Sequence, residues 1–110
     1  MANLFKNSVS SGVGTGATDV YTTPSSTTTT VIGLSVANTT SSAITVVATM
    51  TDTSTSTTVN LVKNASVPVG SSLVIIGGDQ KVVLETTDKI SVTSSASSSA
   101  DVVVSVLEQS

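Results

Sequence analysis

The residues of this sequence that could do chemistry are seven acids and four lysines, because the chain contains no His, Cys, Trp or Arg. Two carboxylates in one cleft could hydrolyse a glycosidic bond, and a lysine could activate a serine. The acids are Asp19, Asp52, Asp79, Glu85, Asp88, Asp101 and Glu108. Most of them lie at expected turns or strand ends, where Asp commonly caps the backbone. We therefore predict structural acids, no enzyme, and no catalytic, cofactor-binding or metal-binding residue.

Three glycines stand at every second position near the N-terminus, as residues of a phosphate-binding loop could. Such a loop would continue into Lys-Ser or Lys-Thr and then a helix, and neither pattern follows here. Alternating glycines instead give backbone freedom or allow close approach of another chain. We predict that residues 1–17 form an extended N-terminal arm used in assembly. Its candidate residues are Leu4, Phe5, Val9, Gly12, Gly14 and Gly16.

Charge and hydropathy argue against two classes of partner. The formal net charge is −3, and the lysines at positions 6, 63, 81 and 89 are widely spaced, whereas nucleic-acid binding needs clustered Lys and Arg. No run of about 18 apolar residues is present, so no membrane-spanning helix is expected. The first residues lack the charged and apolar regions of a signal peptide. We expect no nucleic-acid or membrane partner, and synthesis in the cytosol.

The elements that must position these residues are strands. Ser and Thr make up 41 of the 110 residues and Val adds 19, and β-branched side chains favour strands. Hydrophobicity alternates with period two in segments about ten residues apart, over 19–23, 28–37, 43–52, 58–64, 73–76, 81–85, 89–93 and 101–108. This spacing predicts an all-β fold, an antiparallel β-sandwich or jelly roll of eight or nine short strands, in a single domain of residues 18–110.

The alternation also predicts which side chains form the core. These are Ile32, Leu34, Ile44, Val46, Leu61, Leu73, Ile75, Leu84, Ile90 and Val104. We expect segments 28–37 and 43–52 to form a hairpin, and segment 73–76, which is almost continuously apolar, to be buried on both faces. Outward positions carry Thr and Ser, with additional valines at Val47, Val83 and Val103.

The expected surface is unusually poor in charge. Soluble proteins usually carry about 25–35% charged residues on their surface, whereas this whole chain has 10%. Depletion of charge is a property of interface cores, and Thr and Ser lose little side-chain entropy when they are buried. These features favour a subunit of a large assembly. The alternative is a small Thr-rich soluble domain whose composition reflects its host.

Four segments carry a resemblance to a known class of protein. They are 28–40 (TTTVIGLSVANTT), 61–81 (LVKNASVPVGSSLVIIGGDQK), 82–92 (VVLETTDKISV) and 101–108 (DVVVSVLE). Over residues 18–109 the chain resembles small β-rich virion proteins of tailed bacteriophages, especially marine and cyanobacterial ones. The shared pattern is a strand, a Pro-x-Gly kink, an apolar strand and a Gly-Asp turn. Asp88-Lys89 stands where that pattern would have a further Gly-Asp.

The resemblance implies a non-enzymatic structural protein of the virion, assembled in the host cytoplasm. Our first expectation is a head decoration (cement) protein that bridges capsid subunits, forms a homo-oligomer such as a trimer, and has the major capsid protein as its partner. Tail proteins are the second choice of partner, for a tail, neck or baseplate component. A host-receptor adhesin that uses loops 38–43, 52–57 and 94–100 is the alternative from a different class.

Overall fold

A computed structural model describes residues 2–110 as nine β-strands in two antiparallel sheets. The strands are β1 Asn3–Val13, β2 Thr18–Thr22, β3 Thr28–Asn38, β4 Ile44–Asp52, β5 Thr57–Val67, β6 Ser72–Ile76, β7 Val82–Leu84, β8 Lys89–Ser94 and β9 Ala100–Gln109. The predicted all-β fold is confirmed. Three of the strands have 11 residues, which is longer than expected. Over residues 2–110 we find no helix long and apolar enough to cross a membrane.

The chain passes repeatedly between the two sheets. Sheet A has the order β1-β9-β3-β6, with β7 also paired to β3, and sheet B has the order β2-β8-β4-β5. Strands that are consecutive in sequence therefore often lie in opposite sheets, which is the connectivity of a jelly roll. The molecule is elongated, with extents of 45 × 26 × 23 Å.

The core lies between the sheets and is built mainly from valines. β9 shows why: every second residue from Val102 to Val106 is buried, and the residues between them face outward. The largest fully buried side chains include Leu34, Ile76 and Leu84. Full burial of a side chain of this size contributes about 1.5–3 kcal/mol.

Seven of the ten predicted core residues are buried, and a bulge explains one of the three exceptions. Ile32 is only half-buried, whereas Val31 is completely buried. The register of β3 against β9 shifts between Val31 and Gly33, and this bulge reverses the side to which the neighbouring side chains point. The prediction for Ile32 was wrong for that reason. Leu61 and Leu73 are partly buried against the core.

The predicted hairpin is wrong, and the predicted burial of segment 73–76 holds only in part. Segments 28–37 and 43–52 do not form a hairpin, because β3 lies in sheet A and β4 in sheet B. The buried Asn38 stabilises this crossing, since its amide donates hydrogen bonds to the carbonyl oxygens of Ser42 (2.8 Å) and Val67 (3.0 Å). Segment 73–76 is buried on both faces only at Ile75 and Ile76, and the outer side of β6 is exposed at Val74. Val74 is accordingly 65% exposed.

The N-terminal segment belongs to the sandwich. The sequence predicts an arm over residues 1–17 outside a domain of residues 18–110. In the structure, Asn3–Val13 is extended but forms β1, the edge strand of sheet A, paired with β9. Met1 lies outside the described residues. The side chains of β1 are almost all exposed, so its sequence lacks the alternation that marks a strand with one buried face.

Candidate functional site

Exposed apolar side chains are concentrated on the outward side of sheet A. Directly opposed residues of neighbouring antiparallel strands point to the same side of a sheet. A first row across the four strands consists of Val9, Val103, Ser35 and Val74. Val9 is 70% exposed and Val103 is 40% exposed, although Val103 lies on a central strand. This row therefore faces solvent.

A second row runs parallel to the first. It consists of Phe5, Leu107, Thr30 and Val83. Phe5 is 73% exposed and Val83 is 55% exposed. The surface formed by Phe5, Val9, Val74, Val83, Val103 and Leu107 is called the apolar face below. It includes five of the eight large apolar side chains that are exposed among residues 2–110.

The apolar face is almost without charge. Among the strands of sheet A, the charged residues are Lys6, Asp101 and Glu108. Lys6 and Glu108 lie on the inner side, where their side chains form an ion pair at 3.4 Å. Only Asp101 remains on the outer side, and one of its oxygens accepts a hydrogen bond from the Gly12 amide (3.0 Å). Of the charged residues within these strands, only Asp101 would be desolvated if the face were covered; Lys81 and Glu85, both exposed, flank β7.

The outward side of sheet B is different, because it is polar. One row across it consists of Asp19, Ser91, Thr49 and Asn60. Asp19 accepts a hydrogen bond from the Ser91 hydroxyl (2.6 Å) and forms an ion pair with Lys89 (3.3 Å). The Ser91 hydrogen bond, followed by Lys89, lowers the pKa of Asp19. The outer side of sheet B therefore presents hydrogen-bonded hydroxyl groups and paired charges.

The predicted arm residues are distributed over several environments. Phe5 and Val9 belong to the apolar face, whereas Leu4 lies opposite Glu108 on the inner side of β1. Gly12 has a φ of +68° at the point where the register with β9 shifts, so glycine suits this bulge. A shallow groove of about 330 Å³ lies beside the bulge. Gly14 packs against the backbone of residues 97–98, and Gly16 is open.

A buried network that the sequence did not reveal connects the two sheets. The Tyr21 hydroxyl, from β2 in sheet B, donates to Glu108 Oε2 (2.6 Å) in sheet A and is hydrogen-bonded to Thr29 Oγ1 (2.8 Å). Burial, followed by the hydrogen bond to Glu108, raises the pKa of Tyr21 to about 12. Tyr21 and Glu108 lie 87 residues apart, and no local motif marks such a pair.

Three acids meet at one end of the sandwich. Oxygen atoms of Asp52, Glu85 and Asp88 lie within 4.8 Å of one another, and hard cations favour such ligands. Asp88, however, already accepts the amides of Thr53 and Glu85, each at 3.0 Å. Asp52 accepts the Ser54 amide and hydroxyl, and the hydroxyl hydrogen bond lowers its pKa. These contacts confirm the predicted capping role for Asp52 and Asp88.

The loops predicted for an adhesin do not form one surface. Loops 38–43 and 94–100 lie together, because the Thr39 amide donates to the Ser99 carbonyl oxygen (3.0 Å). Loop 52–57 instead contacts Asp88 through Thr53. It follows β4, whereas loop 38–43 precedes β4. The nine residues of β4 separate the two loops by roughly 30 Å.

The fold and its surface define a jelly-roll domain with one polar and one apolar outer face. No protein-family model and no characterised protein matches this sequence. A solved structure of Bacillus endospore appendages, described as a family of disulfide-linked pili, contains a similar chain. The TM-score is 0.55 with 14% identity, over 98% of this chain and 88% of the other. At this identity the likeness concerns the fold alone.

Proposed function

We propose that this protein is a non-enzymatic structural subunit of a large protein assembly and that it docks through the apolar face. The observation that supports the proposal is the exposure of Phe5, Val9, Val74, Val83 and Val103 on one side of one sheet, whose strands carry only Asp101 as an outward charge. The largest apolar patch on a typical soluble monomer covers about 300–600 Å² and is often a functional site. The polar outer side of sheet B is the surface that stays in water.

The size of the apolar face indicates how it is used. Four strands across and two rows about four residues apart span roughly 20 × 20 Å, or on the order of 400 Å², an area that includes the intervening row of Asn7, Ser105 and Gly33. A stable interface usually buries about 800 Å² on each partner. One such face therefore supplies about half of a standard interface. An assembly that engages many copies at once can compensate for a weak single contact.

Within this class, the first proposal is a head decoration protein of a tailed bacteriophage, as the sequence resemblance implies. The subunit would cover seams between copies of the major capsid protein. Because it binds the assembled shell and not free capsid subunits, mass action would stabilise the shell. A tail, neck or baseplate position would use the same face against a tail protein.

A second candidate is a subunit of a pilus-like polymer. It is favoured by the likeness of the fold to the endospore pilus chain, which extends over 98% of this chain. This chain contains no Cys, so its copies could not be joined by disulfides as that description states for the pili. The contacts between copies would have to be non-covalent.

The test is cosedimentation of the purified protein with capsids built from the major capsid protein of the same phage. Val103→Lys places a charge at the centre of the apolar face and should abolish binding. Thr49→Lys is the matched control, because Thr49 is half-buried on the outer side of a central strand of sheet B. Equal binding by both variants would refute docking through the apolar face. Filaments formed without capsids would favour the pilus-like candidate.

A further inference from the structure

Along the open edge of β1, main-chain N–H and C=O groups form no hydrogen bond to another strand among residues 2–110. Ala2 and Ser110 exchange both of their main-chain hydrogen bonds, at 2.8 and 3.0 Å. Hydrogen-bonded and non-hydrogen-bonded pairs alternate along an antiparallel ladder, and the register of β1 on β9 is unbroken from Asn3 to Ser10. The even-numbered residues of β1 therefore bond to β9. The N–H and C=O groups of Asn3, Phe5, Asn7 and Val9 point away from β9 into solvent.

The other long edge of the molecule is protected against pairing, and β1 is not. β5, the edge of sheet B, has two register shifts against β4, a lysine at position 63 and a positive φ at Asn64. Bulges and edge lysines are the usual means of preventing edge-to-edge association. From Asn3 to Ser10, β1 is regular, contains no proline, and has only Lys6 as a charge. That charge is paired with Glu108 of the same chain.

We propose that two copies of this chain associate through β1, antiparallel, with Asn7 on the two-fold axis. In this register Phe5 lies opposite Val9 of the second copy, and Val9 lies opposite its Phe5. The outward N–H and C=O groups of Phe5, Asn7 and Val9 then form about six main-chain hydrogen bonds between the two copies. An isologous contact of this kind closes as a dimer.

Charge and side-chain pairing select this register over its neighbours. A two-fold axis at Lys6 would place the two ammonium groups directly opposite each other and pair Phe5 with Asn7, and opposed like charges are destabilising. An axis at Ser8 would pair Phe5 with Ser11, next to the bulge at Gly12. The axis at Asn7 instead gives two aromatic–valine pairs, which stabilise a sheet.

The dimer would deepen the proposed function, on which its biological role rests. The row that ends at Val9 in one copy continues into the row that begins at Phe5 in the other, so the two apolar faces become one surface. Two faces of on the order of 400 Å² each together approach the size of one side of a standard interface. Pairing at β1 would thus supply the area that one copy lacks.

The test uses the absence of cysteine in this chain. Asn7→Cys places two thiols opposite each other across the axis, within the distance a disulfide spans. Mild oxidation should convert Asn7→Cys to a covalent dimer at least about tenfold faster than the control Asn3→Cys, an exposed position of the same edge whose thiols would be far apart along the strands. Light scattering after size exclusion should show a dimer for the wild type. Faster cross-linking of Asn3→Cys, or a monomer or trimer without cross-linking of Asn7→Cys, would overturn the proposal.

A second pair of variants separates this inference from the proposed function. Asn7→Pro removes an amide that faces the open edge, so the ladder to β9 keeps its bonds. It should give a folded monomer by circular dichroism and light scattering, whereas Asn7→Ala should remain a dimer. Val103→Lys should remain a dimer and fail to bind capsids. A dimeric Val103→Lys variant that still binds refutes the docking face alone, and a monomeric wild type that binds capsids through Val103 refutes the β1 pairing alone.

Discussion

Ionisation of Tyr21 at high pH should disrupt the network that joins the two sheets and so lower the free energy of unfolding. The phenol donates to Glu108 at 2.6 Å and is buried, which raises its pKa from about 10 to about 12. One pKa unit corresponds to about 1.4 kcal/mol. A pKa that is raised in the folded state contributes stability that is complete below the unfolded value and is lost as the pH rises. The loss should therefore begin near pH 10 and be complete above pH 12, amounting to about 2.7 kcal/mol.

The assay is direct because the chain has one Tyr and no Trp. Ultraviolet absorbance of the phenolate should show a midpoint near 12 in the folded protein and near 10 in denaturant, with circular dichroism recorded in parallel. At about pH 11 the free energy of unfolding should be about 1.4 kcal/mol lower than at about pH 8 through Tyr21 alone. Tyr21→Phe is the control, since it keeps the titrating lysines and lacks this contribution. A midpoint near 10 in the folded protein would refute the reasoning.

Four substitutions test the packing by chemical denaturation. Leu84→Ala, at a fully buried site, should cost about 2–5 kcal/mol of unfolding free energy; a cost below about 1 kcal/mol would mean that the inward face is wrong. Val31→Ala should cost about 2 kcal/mol of unfolding free energy, and this cost should exceed that of Ile32→Ala. The reverse order of the two costs would contradict the bulge in β3. Thr23→Val should be neutral or stabilise by about 1 kcal/mol, because Thr23 Oγ1 is buried without a hydrogen-bond partner among residues 2–110; a clear loss would indicate an unseen bond.

The parts of the fold that were predictable from sequence are those that depend on neighbours in the chain. β9 alternates strictly, so its buried valines and the outward position of Val103 follow from period two alone. β3 alternates equally well, but one bulge between Val31 and Gly33 changes which residues point inward. A bulge is fixed by pairing with β9, some 70 residues away, and leaves no mark in the local pattern. Ile32 was wrongly assigned for this reason.

The candidate site was predictable only in pieces. Outward valines at positions 83 and 103 follow from alternation, and Phe5 and Val9 were singled out as apolar residues of an arm. These residues lie side by side in two rows because the strand order is β1-β9-β3, which brings the two ends of the chain together. The acid cluster at Asp52, Glu85 and Asp88 and the pair of Tyr21 with Glu108 depend on the same long-range arrangement.

The same arrangement changes what the low charge of the chain means. From composition alone, the Ser- and Thr-rich sides of the strands are expected to form the surface that contacts other proteins. In the structure, hydroxyl groups on the outer side of sheet B hydrogen-bond to Asp19 and to one another, as Ser91 does with Asp19 and Thr51 does with Thr58 at 3.0 Å. Groups satisfied in this way gain little from a partner. The side chains that gain from leaving water are the valines and Phe5 of sheet A. For the proposed docking, a low fraction of charge is therefore needed on only one of the two faces, and the face with fewer outward charges is the one that we propose for contact.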